Sequence, residues 1–229
     1  MKQRPHDITA LDMLMTLDVV TKNWQEGERT LTRLRQVSGG NQSIALMAEG
    51  RFYEAQRRLR EASQAYERAT AVAPNAPEPL LSLVKVEVAL GQVARSRTRL
   101  ESILASHTDH PFAHGLLGEV LSLSRQYDEA TLHYREATRV NPKWITPWLN
   151  WATVSLSQKK PDVAVQIAQE ALKTNSNSEE LHMLLASAHA EQGQPDLAIA
   201  AYEAALRLNP RNLLAANNLA VLLVDHKGD

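Results

Sequence analysis

Apolar residues recur at intervals of three and four along most of this chain, which is the spacing expected of one face of an α-helix. The pattern predicts one helix over residues 7–21, a second over residues 24–37, and a last one over residues 212–225. Between them the same spacing continues, interrupted by short polar or glycine-containing turns such as Ser38-Gly39-Gly40-Asn41. The sequence therefore predicts an all-α protein.

The turns themselves recur at a fixed interval. Counting from Pro142, steps of about 34 residues reach Thr108 and Pro74 in one direction, and Ser176 and Pro210 in the other. A fixed period of that length with two helical segments per unit is the signature of a helix–turn–helix repeat. We expect five consecutive units, at residues 43–76, 77–110, 111–144, 145–178 and 179–212.

Small and large residues alternate within each unit in a constant register. Glycine or alanine recurs at some positions, and an aromatic or apolar residue recurs at others. The third unit carries this pattern on Leu117, Gly118, Tyr127, Ala130, Tyr134, Ala137 and Pro142, and the fifth on Leu185, Ala186, Gly193, Ala198, Tyr202, Ala205 and Pro210. The second unit departs from it at Val84, Ser96, Leu100 and Thr108.

These residues make the chain similar to the tetratricopeptide repeat (TPR) family. The resemblance implies a right-handed α-solenoid of stacked antiparallel helix pairs, the TPR superhelix. In that register residues 1–42 form a divergent N-terminal helix pair or cap, with residues 1–6 as a disordered lead. Residues 213–229 form the first helix of a sixth, truncated repeat. Because a polar cap is missing there, the chain is either a fragment of a longer protein or packs this helix against another chain.

Composition excludes several classes of protein. The chain has 25 basic and 26 acidic residues and a net charge of −1, so no overall field favours nucleic acid or an anionic membrane. No window approaches roughly 18 consecutive apolar residues, and no secretory signal is visible. Cysteine is absent, which excludes disulfides and thiolate chemistry. These features fit a cytoplasmic or a periplasmic protein equally well.

The resemblance implies that the first helix of each repeat lines a concave groove. A partner peptide or helix would contact apolar and charged side chains there. The groove residues predicted in this way are Met47, Arg51, Leu81, Lys85, Phe112, Glu119, Leu149, Thr153, Met183 and Ser187. Lys85 has no matching lysine and asparagine set, so a clamp for a C-terminal carboxylate is not expected. In the last helix, Leu219 and Leu222 are the candidates for self-association.

Three tryptophans lie at spacings of four and three. Trp148 and Trp151 fall at packing positions of the repeat, so we expect both in the core. Trp144 precedes the helix and is the candidate for an exposed binding anchor, because tryptophan is enriched at binding hot spots.

Several histidines are candidate metal ligands. His107, His110 and His114 form an H-x2-H-x3-H spacing that could hold zinc, yet no carboxylate–histidine metal motif accompanies it. His182 and His189 stand at packing positions and are expected to make contacts between helices. We therefore predict no metal and no cofactor.

No phosphate loop, nucleophile elbow or paired catalytic carboxylates are visible, so an enzyme is not predicted. The sequence predicts a protein–protein interaction scaffold, and the closing NNLAVLLVD resembles bacterial TPR proteins of exopolysaccharide export and envelope protein sorting. Two alternatives remain open. The chain could be the recruiting segment of a larger enzyme, or a scaffold that assembles with copies of itself through its last helix.

Overall fold

The computed structural model describes residues 7–39 and 42–227. This part of the chain holds thirteen α-helices and no strand: α1 (Ile8–Val20), α2 (Trp24–Val37), α3 (Gln42–Ala55), α4 (Leu59–Val72), α5 (Pro77–Ala89), α6 (Val93–Ser106), α7 (Pro111–Leu123), α8 (Tyr127–Val140), α9 (Ile145–Ser157), α10 (Pro161–Thr174), α11 (Glu179–Glu191), α12 (Pro195–Leu208) and α13 (Leu213–Lys227). The predicted all-α fold is confirmed.

The helices expected at both ends of the chain are present as α1, α2 and α13. The ends of α2 are as predicted, and those of α1 and α13 differ by one or two residues. The expected disordered lead, residues 1–6, lies outside the described residues. So do Gly40 and Asn41 of the predicted break and the terminal Gly228 and Asp229.

The chain divides into two compact units, with the division between Ser96 and Arg97. In the first unit α1 packs on α2, α3 packs on α4, and α4 packs on α5. In the second unit the pairs α7–α8, α9–α10 and α11–α12 form in the same way. The second helix of each of these pairs also contacts the first helix of the next, up to α13. Each unit is therefore a stack of helix pairs in chain order.

The turns inside the helix pairs share one backbone conformation. A residue with positive φ recurs there at intervals of 34 or 35 residues: Lys22, Arg57, Gly91, Arg125, Lys159 and Gly193. In each turn the next residue's N–H bonds back to the preceding helix, as Gln126 does to the carbonyl of Leu121 at 3.0 Å. This is a Schellman ending, which usually employs glycine at the left-handed position. Four of these six turns carry arginine or lysine there instead, at a cost of about 1–2 kcal/mol each.

A tyrosine of the second helix lies against a glycine of the first helix in two pairs. A Cβ atom added to Gly118 would lie 2.6 Å from Cε1 of Tyr134, and one added to Gly50 would lie 2.3 Å from Cε1 of Tyr66. Both tyrosines are almost completely buried. Neither glycine can therefore be enlarged without moving a packed ring or separating the two helices.

The tyrosine hydroxyls reach the edge of the core and bond to polar side chains. Tyr134 and Ser122 are linked by a hydrogen bond of 3.1 Å, and Tyr202 and Ser187 by one of 3.3 Å. Asn218 of the next helix donates to the hydroxyl of Tyr202 at 3.2 Å. Burial raises the pKa of Tyr134 to about 12, so its hydroxyl stays protonated and able to donate at neutral pH. Each ring thus joins its own pair and, at Tyr202, the following helix.

We expect Gly118→Ala to lower the free energy of unfolding by about 1–3 kcal/mol, because the new methyl group overlaps the ring of Tyr134. Urea denaturation followed by circular dichroism measures this change. In Gly118→Ala/Tyr134→Leu, the smaller leucine leaves room for the new methyl group. This double variant should recover part of the loss, so the double-mutant cycle should give a favourable interaction term.

Ala186→Gly is the matched control, because it changes the small residue of the α11–α12 pair in the opposite direction. It should show only the ordinary cost of a helical glycine, about 1 kcal/mol. If the two changes at Gly118 and Tyr134 were simply additive, steric overlap would not be the reason for the glycine.

Candidate protein-binding groove

The predicted groove residues of the first unit lie on α3 and α5. Met47 and Leu81 are half-buried, as is Arg51, whereas Lys85 is exposed. This side of the two helices therefore combines apolar surface with two cationic side chains.

Both cations already have partners within the first unit. Arg51 forms an ion pair with Asp12 of α1, and Nζ of Lys85 lies 2.8 Å from Glu54 of α3. Glu54 also accepts a hydrogen bond of 2.9 Å from the hydroxyl of Tyr66. A lysine held in this way is poorly placed to grip a carboxylate from a partner, since the internal pair would have to break first.

In the second unit the first helices form a row, because α9 contacts both α7 and α11. The row brings the predicted groove residues of this unit onto three adjacent helices. Two of them, Glu119 and Thr153, are exposed, and the remaining four are half-buried: Phe112, Leu149, Met183 and Ser187. The result is a surface of apolar side chains with polar groups interspersed.

Glu119 is the one ionisable residue among the predicted groove residues of this unit. Its carboxylate makes no ion pair among the described residues. Although part of its side chain is exposed, partial desolvation by the surrounding protein raises its pKa above the ordinary value and disfavours the charged form. A donor or a cation from a partner would therefore be favoured at this point of the row.

Trp144 does not stand out as the exposed anchor that the sequence predicted. It is half-buried, its ring centroid lies 4.8 Å from that of Phe112, and a Cβ atom on Gly115 would lie 2.4 Å from its ring. The absence of a side chain on Gly115 creates the space that the indole occupies. The exposed-anchor prediction is wrong for this reason.

Polar contacts involve the predicted groove residues of α11, at the end of the row formed by α7, α9 and α11. The side-chain amide of Asn212 lies 3.0 Å from Sδ of Met183, and Ser187 is bonded to Tyr202 as described above. These contacts hold the two groove residues of α11 in fixed positions. They leave Leu149 and Thr153 of α9 at the centre of the surface.

Ring nitrogens recur at the turns between helix pairs, a feature that the sequence reasoning did not identify. In three successive pairs, a ring N–H near the start of the first helix donates to a carbonyl oxygen six residues earlier. The bonds join His114 to Thr108 at 2.8 Å, Trp148 to Pro142 at 3.0 Å, and His182 to Ser176 at 3.2 Å. His114, Trp148 and His182 are 34 residues apart, and each has a ring that carries an N–H group. This recurrence is the sequence signal that could have predicted the contact.

This contact fixes the tautomer of His114. Because the carbonyl of Thr108 can only accept, Nε2 of His114 carries the hydrogen and Nδ1 is an acceptor. Nδ1 of His133 lies 2.9 Å from Nδ1 of His114 and therefore donates to it. In their uncharged form the two rings thus form a hydrogen-bonded pair that joins α7 to α8.

The same contacts argue against a zinc site at the histidines. Nδ1 of His110 accepts from the backbone N–H of Ala113 at 3.1 Å and so caps α7. Both ring nitrogens of His114 are engaged, and Nδ1 of His107 lies 3.2 Å from the hydroxyl of Ser106. Within residues 7–39 and 42–227, no group of three metal-ligating side chains could hold an ion.

The last helix turns its two predicted self-association residues inward. Leu219 and Leu222 are half-buried and pack on the cluster around Tyr202. The open face of α13 instead carries Leu214, Val221 and Val224. The inward placement arises because α13 packs on α12, and that contact selects the opposite side of the helix.

Comparison with protein families finds tetratricopeptide repeats at residues 46–120, 149–212 and 183–229. No curated protein matches the chain. Among the described helices, none is sufficiently long and apolar to cross a membrane.

Solved structures with the same architecture include a thermophilic TPR protein from Thermus thermophilus. It is 25% identical with a TM-score of 0.61, and the match covers 80% of this chain and 99% of that one. Yeast Tom70 is 18% identical with a TM-score of 0.75, covering 88% of this chain and 44% of that one. YrrB, described as a TPR protein with an unusual peptide-binding site, is 14% identical with a TM-score of 0.54, covering 80% and 96%. The last two show a common fold alone.

The neutral histidine pair predicts acid sensitivity. Burial and the neighbouring His114 lower the pKa of His133, although Glu129 and Glu101 oppose this effect and Arg97 adds to it. Burial likewise lowers the pKa of His110. The unfolded chain, with histidine pKa values near 6.5, therefore binds more protons than the folded one in the window just below that value. Stability is fully present above this window and is lost as the pH falls through it.

We expect the melting temperature to fall as the pH is lowered from about 7.5 to about 5.5, before most carboxylates titrate. His133→Gln should flatten this dependence, because glutamine can still donate to His114 but takes up no proton. His182→Gln is the matched control for loss of a histidine elsewhere. A pH profile of His133→Gln identical to that of the unsubstituted chain would refute the role given to the pair.

Proposed function

Since this chain belongs to the tetratricopeptide repeat family, we propose that it binds a partner peptide or helix along the row formed by α7, α9 and α11. The family fold is that of a protein–protein interaction scaffold, and no catalytic family matches the chain. In this proposal residues 43–212 form five repeats, residues 1–42 a divergent N-terminal pair, and residues 213–229 the first helix of a sixth. Peptide binding is named for YrrB, and here it is part of the proposal.

One observation carries the proposal: three first helices lie side by side and present a continuous, partly apolar surface. Leu149 and Met183 supply apolar area that is only half-buried, and Thr153 and Glu119 supply exposed polar groups next to it. Such a mixture suits an amphipathic helix or an extended segment with alternating side chains. On the first unit, Met47, Arg51, Leu81 and Lys85 would make the same kind of contact with a partner.

The surface is also held in advance of binding. The contact of Gly118 with Tyr134 locks the α7–α8 pair, and the ring N–H bonds of His114, Trp148 and His182 fix the turns between pairs. A partner that docks on such helices orders few groups of the receptor. A low ordering cost leaves more of the contact energy as affinity.

We place this activity in a bacterial multiprotein assembly related to the cell envelope or to exopolysaccharide export. The support is the resemblance of the closing NNLAVLLVD segment. The recruiting segment of a larger enzyme is the alternative setting, and the full reading frame that contains this chain distinguishes the two.

A photo-cross-linking amino acid at Thr153 tests the groove directly, because this residue is exposed at the centre of the row. We expect a specific adduct with a partner from an extract of the source cells. Leu149→Glu/Met183→Glu in the same chain should reduce the adduct by about tenfold, since both changes bring a charge into apolar contact surface.

Leu132→Glu/Leu197→Glu is the matched control, because these leucines are 62% and 51% exposed on the second helices α8 and α12. It should leave the adduct unchanged, and both double variants must keep the helical circular dichroism spectrum. Equal loss in the two variants, or an adduct only from a cross-linker placed at Leu132, would contradict binding along the first helices.

Self-association through α13 is a second candidate, favoured by the open apolar face that Leu214, Val221 and Val224 form. Sedimentation velocity over a range of concentrations should then show a dimer that Val221→Glu/Val224→Glu abolishes. The control Leu132→Glu/Leu197→Glu should leave the dimer intact. A monomer at every concentration would remove this candidate. Leu219 and Leu222 are left unchanged in this test, because they face the cluster around Tyr202 and not the open side of α13.

A further inference from the structure

A cavity of about 480 Å³ opens in the second unit between α8 and α10, with α9 as its floor. Its volume lies in the range of about 300–1,000 Å³ that ligand sites occupy. It is therefore large enough to receive a side chain or a small group from another molecule.

The cavity lies on a different side of α9 from the groove residues. Trp151 lines the cavity, whereas Leu149 belongs to the groove surface. Two residues apart on a helix means about 200° apart around its axis, at 3.6 residues per turn. The second helices α8 and α10 form the cavity walls, and neither contributes to the row of first helices. The cavity is thus separate from the binding surface proposed above.

Two stacked indoles form the apolar part of the cavity. The ring centroids of Trp148 and Trp151 are 6.0 Å apart with an angle of 18° between the planes. Nε1 of Trp148 donates to the carbonyl of Pro142, so this ring of the cavity floor is held in place before any ligand binds. Val163 and Ile167 of α10 complete the apolar lining. Such a preformed aromatic surface suits an apolar, especially an aromatic, side chain.

The indole N–H of Trp151 is buried and has no hydrogen-bond partner among the described residues. Buried donors without a partner are rare, since each costs about 1–3 kcal/mol. The unsatisfied donor belongs to one of the two rings that form the cavity floor. Because Nε1 is itself buried, the ring contributes its apolar atoms to the cavity.

Charge decides which kind of ligand fits. Arg139 at the rim is held by Glu136 at 2.8 Å and by Asp109 at 3.0 Å, and Glu170 on the other wall is held by Lys173 at 2.5 Å. Arg135 also lines the cavity, is exposed, and forms no ion pair among the described residues. The charge left available is therefore a cation, which favours a carboxylate and disfavours a cationic ligand on the indole faces.

We propose that this cavity binds an aromatic side chain within an acidic peptide segment of a partner protein. The aromatic ring packs on Trp148 and Trp151, and a neighbouring carboxylate pairs with Arg135. The site is a second docking point, independent of the groove on the first helices.

The test uses the full chain labelled with 5-fluorotryptophan, since its four tryptophans give four fluorine resonances that single Trp→Phe variants assign. The probes are capped pentapeptides: Asp-Asp-Phe-Asp-Glu, its alanine analogue Asp-Asp-Ala-Asp-Glu, and the basic Lys-Lys-Phe-Lys-Lys. We expect the acidic phenylalanine peptide to shift the resonances of Trp148 and Trp151 with saturation, while those of Trp24 and Trp144 stay in place. The other two peptides should bind at least about tenfold more weakly, since each lacks one of the two contacts.

Two variants and a control connect the shifts to the cavity. Arg135→Glu should weaken the acidic peptide by at least about tenfold, because it replaces an attractive charge with a repulsive one. Val163→Trp should block binding by filling the cavity. Arg207→Glu, an exposed arginine on α12, is the matched control and should have no effect. Leu149→Glu/Met183→Glu should also leave peptide binding intact, which separates this site from the groove.

Three results would overturn the proposal. The first is the absence of saturable shifts at Trp148 and Trp151 with millimolar peptide. The second is equal affinity for the acidic and basic peptides, or affinity unchanged by Arg135→Glu, a surface change that does not depend on how well Val163→Trp folds. The third is a concentration-dependent dimer that Val163→Trp alone disrupts, which would assign the cavity to a second copy of the chain.

Discussion

The packing of a tyrosine ring against a residue without a bulky side chain sets the geometry of the helix pairs. Gly118 and Gly50 leave room for Tyr134 and Tyr66, and the ring then spans the gap between the two helices. Because the ring is rigid, the interhelical distance cannot relax in either direction without a void or an overlap. The hydroxyl at the far end of the ring meets polar groups, which is why tyrosine rather than phenylalanine suits this position. One contact therefore fixes both the spacing within a pair and the polar edge beside it.

The turns repeat as regularly as the core. Inside each pair a left-handed residue closes a Schellman ending, and between pairs a ring N–H reaches back to a carbonyl oxygen. Both kinds of contact join residues that are close in sequence. Each change of chain direction is therefore stabilised by residues of the turn and of the helices next to it. Local closure of this kind is what allows stability in a repeat protein to build from nearest-neighbour contacts. Arg57, Arg125 and Lys159 show that the turn geometry prevails over residue preference, since backbone hydrogen bonds hold non-glycine residues at positive φ.

The sequence alone predicted the features that follow from the repeat period. It did not predict those that depend on contacts with a neighbouring helix. The helices and the tyrosine positions follow from spacing, because a residue buried by its own hairpin repeats in register. The orientation of α13 could not be predicted in that way, since Leu219 and Leu222 differ from Val221 and Val224 only in which side meets α12. Trp144 shows the same limit. Its position before α9 suggested exposure, but the absence of a side chain on Gly115 of α7 determines where the indole lies.

The two surfaces of α9 lie on either side of its packed core. Ala152 of α9 and Ala164 of α10 are completely buried, and Trp148 and Ile167 are buried in the same cluster. Leu149 and Trp151 are only partly buried where they pack against this cluster. The two side chains lie about 200° apart around the helix, at 3.6 residues per turn. The core encloses neither of them completely, so α9 presents apolar surface to the groove on one side and to the cavity on the other.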